Sequence, residues 1–310
     1  MGFYLVTGGC GFIGSHLVDA LAYAGHRVRV LDDLSTGKVE NVSVPVELLV
    51  GDAGDRETVA RAMAGVDGCF HLAAVASVVR ANEDWCGTHR ANLTATVNVM
   101  DAARSVRCQV PVVYASSAAV YGDNPAVPLD EDATTRPLTA YGADKLGCEL
   151  HARVAGQVHG VPTSGLRFFN VYGPRQDPSS PYSGVISIFA DRMARGEGIT
   201  VFGDGMQERD FVYVGDVVRH LIAGMEHADT DAAVYNVCTG RATTILELAR
   251  TIGRVVGRQP MIEHGEPRSG DIRRSLGTPA LAAARLGVRS DVILEEGLAV
   301  LFRAMDALAA

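Results

Sequence analysis

The chain has 310 residues, of which 47% are hydrophobic and 21% charged, so it can bury a large core in one large domain with a smaller second one. Its 28 basic and 36 acidic residues give a formal charge of −8, and no run of Lys or Arg forms a stripe that could follow a phosphodiester backbone. The composition argues against nucleic acid as a partner. It is compatible with a small anionic ligand, because a few arginines in a cleft can outweigh the net charge locally.

No apolar stretch reaches the ~18 residues that a membrane-spanning helix needs, and the N-terminus leads from Met1 through a strand into glycines, without the features of a signal peptide. We therefore expect a cytoplasmic protein with no membrane partner, and we predict no metal site. The six cysteines lack any C-x-x-C pair, and most lie in apolar runs, so they are expected to be reduced and buried: Cys10, Cys69, Cys86, Cys108, Cys148 and Cys238.

The first half of the chain alternates short β-branched runs with helical patterns, which is typical of βαβ units and a parallel sheet. Between the first two runs, Ile13, Leu17, Leu21 and Ala24 recur at helical spacing, and Gly25 follows as a stop signal. The runs are almost continuously apolar, which indicates strands buried on both faces. The predicted strands cover residues 3–7, 28–32, 46–50, 69–73, 110–115 and 164–170.

A second, smaller lobe is indicated after Gly173, where Pro174, Pro178 and Pro181 are followed by a mixture of helices, short strands and loops. In this part, Thr244 and Glu247 have the spacing of a capping box, which predicts the start of a helix. We predict a first domain of residues 1–172 with a returning segment at about 212–240. Residues 173–211 and 241–310 are predicted to form the second lobe.

A glycine-rich turn lies between the first strand and the first helix, with Gly8, Gly11 and Gly14 in a G-x-x-G-x-x-G pattern. Glycine there lets the backbone approach a pyrophosphate, which the free N–H groups and the positive end of the helix dipole would favour. Asp32 and Asp33 end the second strand, where a carboxylate can accept hydrogen bonds from both ribose hydroxyls of an adenosine and would repel a 2′-phosphate. This favours NAD over NADP. Each feature alone also fits an ordinary tight turn with solvated acidic residues.

Tyr141 and Lys145 lie four residues apart, on one face of a predicted helix. A phenol is a poor base at neutral pH, but a neighbouring ammonium and a cationic nicotinamide both favour removal of its proton, so Tyr141 can act as an acid/base. Ser117 follows the fifth strand at the carboxyl edge of the sheet, where ligands of open α/β folds collect. Each residue alone also fits a capping serine or a solvated helix face. The order of glycine turn, acidic strand end, serine and Tyr–Lys pair is what favours a catalytic site.

As a set, these residues resemble the extended short-chain dehydrogenase/reductases, specifically the bacterial nucleotide-sugar epimerases, over nearly the whole chain. The resemblance implies a Rossmann-type doubly wound parallel sheet with a smaller α/β substrate lobe, bound NAD, and a catalytic group of Ser117, Tyr141 and Lys145. It also implies a homodimer through a helix bundle of segments 88–103 and 141–158. The cofactor contacts that it implies are Gly8, Gly11, Phe12, Ile13, Asp32, Asp33, Leu34, Ser35, Thr36, Gly37, Asp52, Ala53, Leu72, Ala73, Ala74, Ala76, Asn92, Tyr141, Lys145 and Phe169.

The same resemblance implies that the second lobe holds a UDP-sugar. Arg209 and Arg268 resemble arginines that clamp the diphosphate, for which guanidinium forks are suited, and Asp271 resembles the aspartate that meets the uridine ribose. Without the family pattern, surface salt bridges would be the better interpretation of both arginines. Ala76 departs from the best-known galactose epimerases, where a Lys usually contacts the cofactor. The implied substrate contacts are Ser117, Tyr141, Asn170, Val185, Val201, Phe202, Arg209, Arg268, Asp271 and Ser275.

The residues after Ser117 favour one reaction of this family. Related dehydratases carry an Asp–Glu pair just after the catalytic Ser or Thr, and decarboxylases a nearby Glu, whereas this chain has Ala118 and Ala119. The lack of a second acid/base there argues for reversible oxidation at one carbon and against dehydration. We therefore predict a 4-epimerase in which Tyr141 removes the 4-hydroxyl proton, Ser117 assists and the C4 hydride passes to NAD.

The substrate is predicted from Ser275, whose small side chain occupies the position that matches the gate of the family's sugar pocket. It leaves room for an N-acetyl group, so UDP-GlcNAc/UDP-GalNAc is expected as a substrate pair, alongside UDP-Glc/UDP-Gal. The alternatives are a UDP-glucuronate 4-epimerase, another NAD-dependent nucleotide-sugar oxidoreductase, and a non-enzymatic NAD-binding sensor that has kept only the fold.

Overall fold

The computed structural model describes residues 1–106, 109–177, 184–268 and 271–309. The strands of these residues are β1 (Phe3–Thr7), β2 (Arg27–Asp32), β3 (Glu47–Val50), β4 (Gly68–His71), β5 (Val112–Ser117), β6 (Thr163–Phe168), β7 (Asn170–Tyr172), β8 (Ile199–Phe202), β9 (Glu208–Tyr213), β10 (Val234–Val237), β11 (Ala242–Thr244), β12 (Ile262–Gly265) and β13 (Arg274–Ser275). Their helices are α1 (Phe12–Tyr23), α2 (Arg56–Met63), α3 (Val78–Glu83), α4 (Trp85–His89), α5 (Ala95–Ser105), α6 (Ala140–His159), α7 (Val185–Ala194), α8 (Val214–Glu226), α9 (Ile245–Val256), α10 (Ala280–Arg285) and α11 (Leu294–Ala309).

A seven-stranded parallel sheet with strand order β10-β6-β5-β4-β1-β2-β3 forms the centre of the larger part of the chain. The order reverses beside β1, since the chain first runs outwards through β2 and β3 and then returns to β4 on the other side. Ligands of open α/β folds bind at such a switch point, outside the carboxyl ends of the strands. The predicted parallel sheet and its six strands are confirmed. The boundaries differ most for the predicted strand 164–170, which divides at Phe169 into β6 and β7 in different sheets. The predicted strand 110–115 is displaced by two residues in β5, and the predicted strand 69–73 ends at His71 in β4.

Helices cover both faces of this sheet, and successive strand residues face opposite layers. Leu5 packs with helices α2, α5 and α6 on one face, whereas its neighbour Val6 packs with α1, α8 and α10 on the other. The sheet is therefore doubly wound, as the apolar strands predict. β10 lies inside the returning segment that the sequence assigns to the first domain; the domain boundaries themselves stay a prediction.

The other strands form two small sheets next to a core of their own. In one sheet β9 pairs with β7, β11 and β13, and in the other β8 pairs with β12. Helices α7, α9 and α11 pack around this core, and the start of α9 is as predicted, because Thr244 Oγ1 accepts a hydrogen bond of 3.1 Å from Glu247 N. Leu248, Ala249 and Ile252 are buried on the inner face of α9.

The prediction that the cysteines are buried holds for four of them but is wrong for Cys86. Cys86 lies in the short helix α4 beside Trp85, whose exposed fraction is 67%, so the apolar residue next to it does not belong to the core. Cys108, Pro178 and Pro181 lie outside the described residues. Within the described residues, we find no helix that is both long enough and apolar enough to span a bilayer.

Candidate active site

The glycine-rich turn between β1 and α1 forms a cradle with no room for side chains. Gly8 has φ +70°, and a Cβ there would lie 2.7 Å from Ala73 N in the segment after β4. A Cβ on Gly14 would overlap with the Gly8 carbonyl oxygen. Helix α1 then begins at Phe12, after Gly11, with no side-chain cap and no acidic residue in its first turn. The turn therefore fits the pyrophosphate of a dinucleotide, which needs close backbone approach and open N–H groups.

Asp32 joins this turn to the loop after β2. Its Oδ2 accepts a hydrogen bond of 2.9 Å from Cys10 N, and its Oδ1 accepts one of 2.9 Å from Leu34 N. Burial raises the pKa of Asp32, while these two donors act in the opposite direction. The neighbouring Asp33 is exposed and accepts hydrogen bonds from the N–H and the hydroxyl of Ser35. Each oxygen of the Asp32 carboxylate can accept a second hydrogen bond, so the arrangement is compatible with the ribose contacts that the sequence predicts.

A chain of hydrogen bonds supports the segment after β4, and its central residue, His71, was missed by the sequence reasoning. His71 Nδ1 lies 2.7 Å from Thr7 Oγ1, which also accepts a bond from Ala73 N, and His71 Nε2 lies 3.1 Å from Thr96 Oγ1. Burial and the charge of Lys145 lower the pKa of His71 to about 3, so the ring is neutral at physiological pH. Nothing in the local sequence separates such a histidine from an ordinary strand residue.

Asn92 continues this support, and its side chain is fully buried. Its Oδ1 accepts a hydrogen bond of 2.8 Å from Val75 N, and its Nδ2 donates to Val75 O at 3.3 Å. The structure thus gives Asn92 a role in holding the segment after β4, while a direct contact with nicotinamide stays a prediction. Asp52, after β3, accepts from Gly54 N and forms an ion pair of 2.8 Å with Arg90.

Ser117, Tyr141 and Lys145 are brought together where the end of β5 meets the start of α6. Lys145 is buried, its Nζ donates a hydrogen bond of 2.9 Å to Ala115 O, and it lies 5.9 Å from the centre of the Tyr141 ring. Ser117 Oγ accepts a bond of 3.1 Å from Ala119 N, so its own proton is available for another acceptor. The capping interpretation of Ser117 is therefore correct, and it does not exclude a catalytic role.

The start of α6 is fixed by its N-cap and by close packing. Thr139 Oγ1 accepts a hydrogen bond of 3.0 Å from Gly142 N. A Cβ on Gly142 would lie only 2.7 Å from the Ala119 carbonyl oxygen, so the first helical turn rests directly on the turn after Ser117. Tyr141 lies in this first turn, so the same contacts fix the position of its backbone.

Four predicted substrate residues meet in the small lobe. Arg209 donates to Asp271 and, at 2.7 Å, to Ile272 O, while Arg268 lies over the Phe202 ring at 3.9 Å from its centre. Burial lowers the pKa of Arg209, against the opposing effect of Asp271. A cavity of about 320 Å³ opens here, and it is lined by Gly203, Asp204, Gln207, Pro267, Arg268, Asp271 and Arg273.

The remaining predicted residues fall into three groups. Val201 is fully buried in the core of the small lobe, so any contact of this residue with a ligand would use its backbone. Asn170, Val185 and Ser275 lie at the start of β7, at the start of α7 and next to Arg209 in sheet register, respectively. The last group follows the carboxyl ends of parallel strands, as expected for cofactor contacts: Ile13, Thr36, Gly37, Ala53, Leu72, Ala74, Ala76 and Phe169.

Comparison with known proteins adds to this geometry. The profile of the NAD dependent epimerase/dehydratase family matches residues 4–238. A UDP-glucose 4-epimerase of Mycolicibacterium smegmatis is 38% identical over 301 residues, which cover 95% of this chain and 96% of that protein. The structure of Thermotoga maritima UDP-glucose 4-epimerase with UDP-glucose has a TM-score of 0.94 at 35% identity and covers 99% of this chain and 100% of that one. A UDP-N-acetylglucosamine 4-epimerase of Methanobrevibacter ruminantium, in complex with UDP-N-acetylmuramic acid, also has a TM-score of 0.94, at 33% identity and 99% coverage of both chains.

The glycine cradle predicts that Gly14→Ala lowers the NAD content of the purified protein, because the added Cβ overlaps with the Gly8 carbonyl and displaces the turn. Gly198→Ala is the matched control, since its Cβ would have only an ordinary contact, 3.5 Å from Met261 O. The measurement is the amount of NAD released per chain after denaturation. A Gly14→Ala protein that carries as much NAD as the control would contradict the proposed cradle.

Proposed function

Since this chain belongs to the NAD-dependent epimerase/dehydratase family, we propose that it is a UDP-sugar 4-epimerase that works with tightly bound NAD. The observation that carries the proposal is the convergence of Ser117, Tyr141 and Lys145 at the carboxyl end of β5, on the same edge of the parallel sheet as the glycine cradle after β1. Two relatives named as UDP-glucose 4-epimerases support the proposed activity. The fit of the glycine cradle to a dinucleotide supports NAD as the cofactor. A sensor that kept only the fold would have no need for the catalytic group.

The arrangement of the three side chains supports a proton-transfer role for Tyr141. Tyr141 in its phenolate form would take the proton of the 4-hydroxyl group and become a phenol, and the ammonium of Lys145, held by Ala115 O, would stabilise the phenolate before the transfer. The Ser117 hydroxyl would donate a hydrogen bond to the reacting oxygen. When bound, NAD supplies the acceptor that takes the C4 hydride and returns it. The 4-keto sugar would turn over in the site before it receives the hydride on its opposite face.

The small lobe would bind the UDP part of the substrate. Arg209 and Arg268 lie close to the cavity and offer guanidinium groups suited to the diphosphate, and Asp271 offers a carboxylate for ribose hydroxyls. Asn170 and the backbone of Val201 are the other proposed ligands. Binding would require Arg209 to share or exchange its present partner Asp271, since its guanidinium already donates to that carboxylate.

We expect both UDP-GlcNAc/UDP-GalNAc and UDP-Glc/UDP-Gal to be substrates. Ser275 is partly buried and pairs in sheet register with Arg209, so its short side chain stands next to the proposed diphosphate site. The two solved structures are named as a UDP-glucose 4-epimerase and a UDP-N-acetylglucosamine 4-epimerase and have the same TM-score to this chain, which supports the proposal of both pairs. A UDP-glucuronate 4-epimerase of the same family is the alternative.

A second copy of the chain is the partner that we propose for an exposed apolar stripe on α6. The segments predicted to form the bundle pack against each other through α5 and α6. On the outer face of α6, Leu150, Val154 and Val158 have exposed fractions of 55%, 48% and 69%. Four-residue spacing places these side chains in one row. Such a row suits a helix from a second subunit, and it lies away from the buried face that carries Lys145.

The proton-transfer role predicts that Tyr141→Phe lowers kcat at least about 100-fold, because the acid/base is lost while the ring still packs. Purified protein is incubated with UDP-GlcNAc or with UDP-Glc, without added NAD, and both C4 epimers are quantified by NMR. Tyr23→Phe is the control, since Tyr23 is exposed and far along α1. NAD content should stay unchanged in both variants. An active Tyr141→Phe enzyme would refute the assignment.

The pocket interpretation predicts that Ser275→Tyr removes conversion of UDP-GlcNAc and leaves that of UDP-Glc, because a large side chain would fill the space for the N-acetyl group. Ser275→Ala is the matched control and should keep both activities. The ratio of kcat/KM for the two substrates is measured. Equal losses for both substrates would show that Ser275 does not select between them.

The dimer predicts that Leu150→Lys/Val154→Lys halves the molecular mass in solution, since two charges would be buried in the subunit contact. Met261→Lys, at another exposed apolar residue, is the control and should leave the mass unchanged. Light scattering coupled to size-exclusion chromatography measures the mass. A wild-type protein with the mass of one chain would rule out the dimer.

A further inference from the structure

A buried ion pair lies directly behind the proposed catalytic group. Arg167 Nε donates to Glu149 Oε1 at 2.8 Å and Arg167 Nη2 to Glu149 Oε2 at 2.7 Å, and the two side chains are 6% and 7% exposed. The Ser116 hydroxyl donates a third bond, of 2.5 Å, to Glu149 Oε1. Charge burial on this scale is costly, and apolar residues of similar volume often stabilise a fold as well or better. Stability alone is therefore a weak reason for this pair.

The pair joins the elements that carry the three proposed catalytic side chains. Glu149 follows Lys145 by one helical turn of α6, and Ser116 directly precedes Ser117 at the end of β5. Arg167 reaches Glu149 from β6, where it is the register partner of Ser116. The contact between α6 and β5 thus has two polar links in successive turns, from Lys145 to Ala115 O and from Glu149 to Ser116. Two such links fix both the position of the helix along the strand and its rotation.

Arg167 also holds the segment that follows Ser117. Its Nη1 donates to the Tyr121 hydroxyl at 2.8 Å and to Glu131 O at 3.0 Å. The Tyr121 hydroxyl lies 2.7 Å from Asn236 Oδ1, which ties the same segment to β10. The ion pair is therefore connected to the chain on both sides of Ser117, through Ser116 before it and Tyr121 after it.

We propose that Glu149 and Arg167 are positioning residues, which set the placement of Ser117 relative to Tyr141 and Lys145. This inference rests on the proposed function, because its test by kcat requires that the protein converts a UDP-sugar. Neither side chain is expected to touch the substrate. Their loss should lower kcat and leave the KM of the UDP-sugar and the NAD content nearly unchanged, because the hydrogen bonds of the pair go to Ser116, Tyr121 and Glu131 and not to the small lobe or the glycine cradle.

The test replaces the pair by apolar residues of similar size, as Glu149→Leu/Arg167→Met, which avoids an unpaired buried charge. The control is Glu47→Leu/Arg29→Met, which removes an Arg–Glu pair that also has two hydrogen bonds but is more exposed, between β2 and β3, far from β5. We expect kcat to fall at least about 10-fold in the first variant, because displacement of a reacting group by about 1 Å can cost 100-fold. The control should keep the wild-type kcat. A folded Glu149→Leu/Arg167→Met enzyme with wild-type kcat would overturn the proposal.

Ser116→Ala serves if the double variant fails to fold, since it removes the link from β5 to Glu149 and leaves the buried ion pair intact. It should lower kcat without a change in KM, and unaltered kcat in a folded protein would again overturn the proposal. Hydrogen exchange of residues 112–121 and 140–150 gives a readout that needs no activity. Faster exchange in these segments than in the control supports the positioning role, and unchanged exchange contradicts it. If the wild-type protein converts no UDP-sugar, the proposed function fails and the exchange result still decides this inference.

Discussion

The hydrogen bond from the buried ammonium of Lys145 to Ala115 O is the contact on which the rest of the site depends. A buried charge is costly unless it is hydrogen-bonded, so this contact holds helix α6 against the carboxyl end of β5. The same contact brings Tyr141 and Ser117 to one edge of the sheet, because one lies in the first turn of α6 and the other ends β5. A helix displaced along the strand would lose both the bond and the catalytic arrangement.

The cofactor side of the cleft depends on the same edge. Parallel strands β1, β2 and β4 end side by side, and buried polar side chains join their ends. Asp32 joins the segments after β1 and β2, and His71, the last residue of β4, contacts Thr7 at the end of β1. Asp32 and Thr7 accept hydrogen bonds from backbone N–H groups that would otherwise lack partners. The charge of Lys145 also acts on this side, since it helps to keep His71 neutral. The proposed cofactor and catalytic sites are therefore coupled through packing and through charge.

The small lobe contributes a different kind of group. Its arginines are already paired or stacked within the lobe, Arg209 with Asp271 and Arg268 with Phe202. Such contacts hold long, flexible side chains in place and reduce the entropy that a ligand would otherwise have to overcome. They also mean that binding of a diphosphate would exchange one set of charge contacts for another. The affinity for the diphosphate would then depend on the difference in free energy between the contacts within the lobe and the contacts to the ligand.

Residues close together in the chain were enough to predict the alternating strands and helices, the glycine turn and the Tyr141–Lys145 pair. The side chains that support the site could be identified only from the folded chain, because they come from segments far apart in the sequence. Glu149 contacts Arg167, which is 18 residues away in the chain, and Arg209 contacts Asp271, which is 62 residues away. The local sequence pattern around one partner does not indicate which distant residue it will contact. The sequence likewise does not show that the apolar stripe on α6 is exposed. An apolar pattern shows that a helix has an apolar face, whereas the packing of distant segments decides which face is covered.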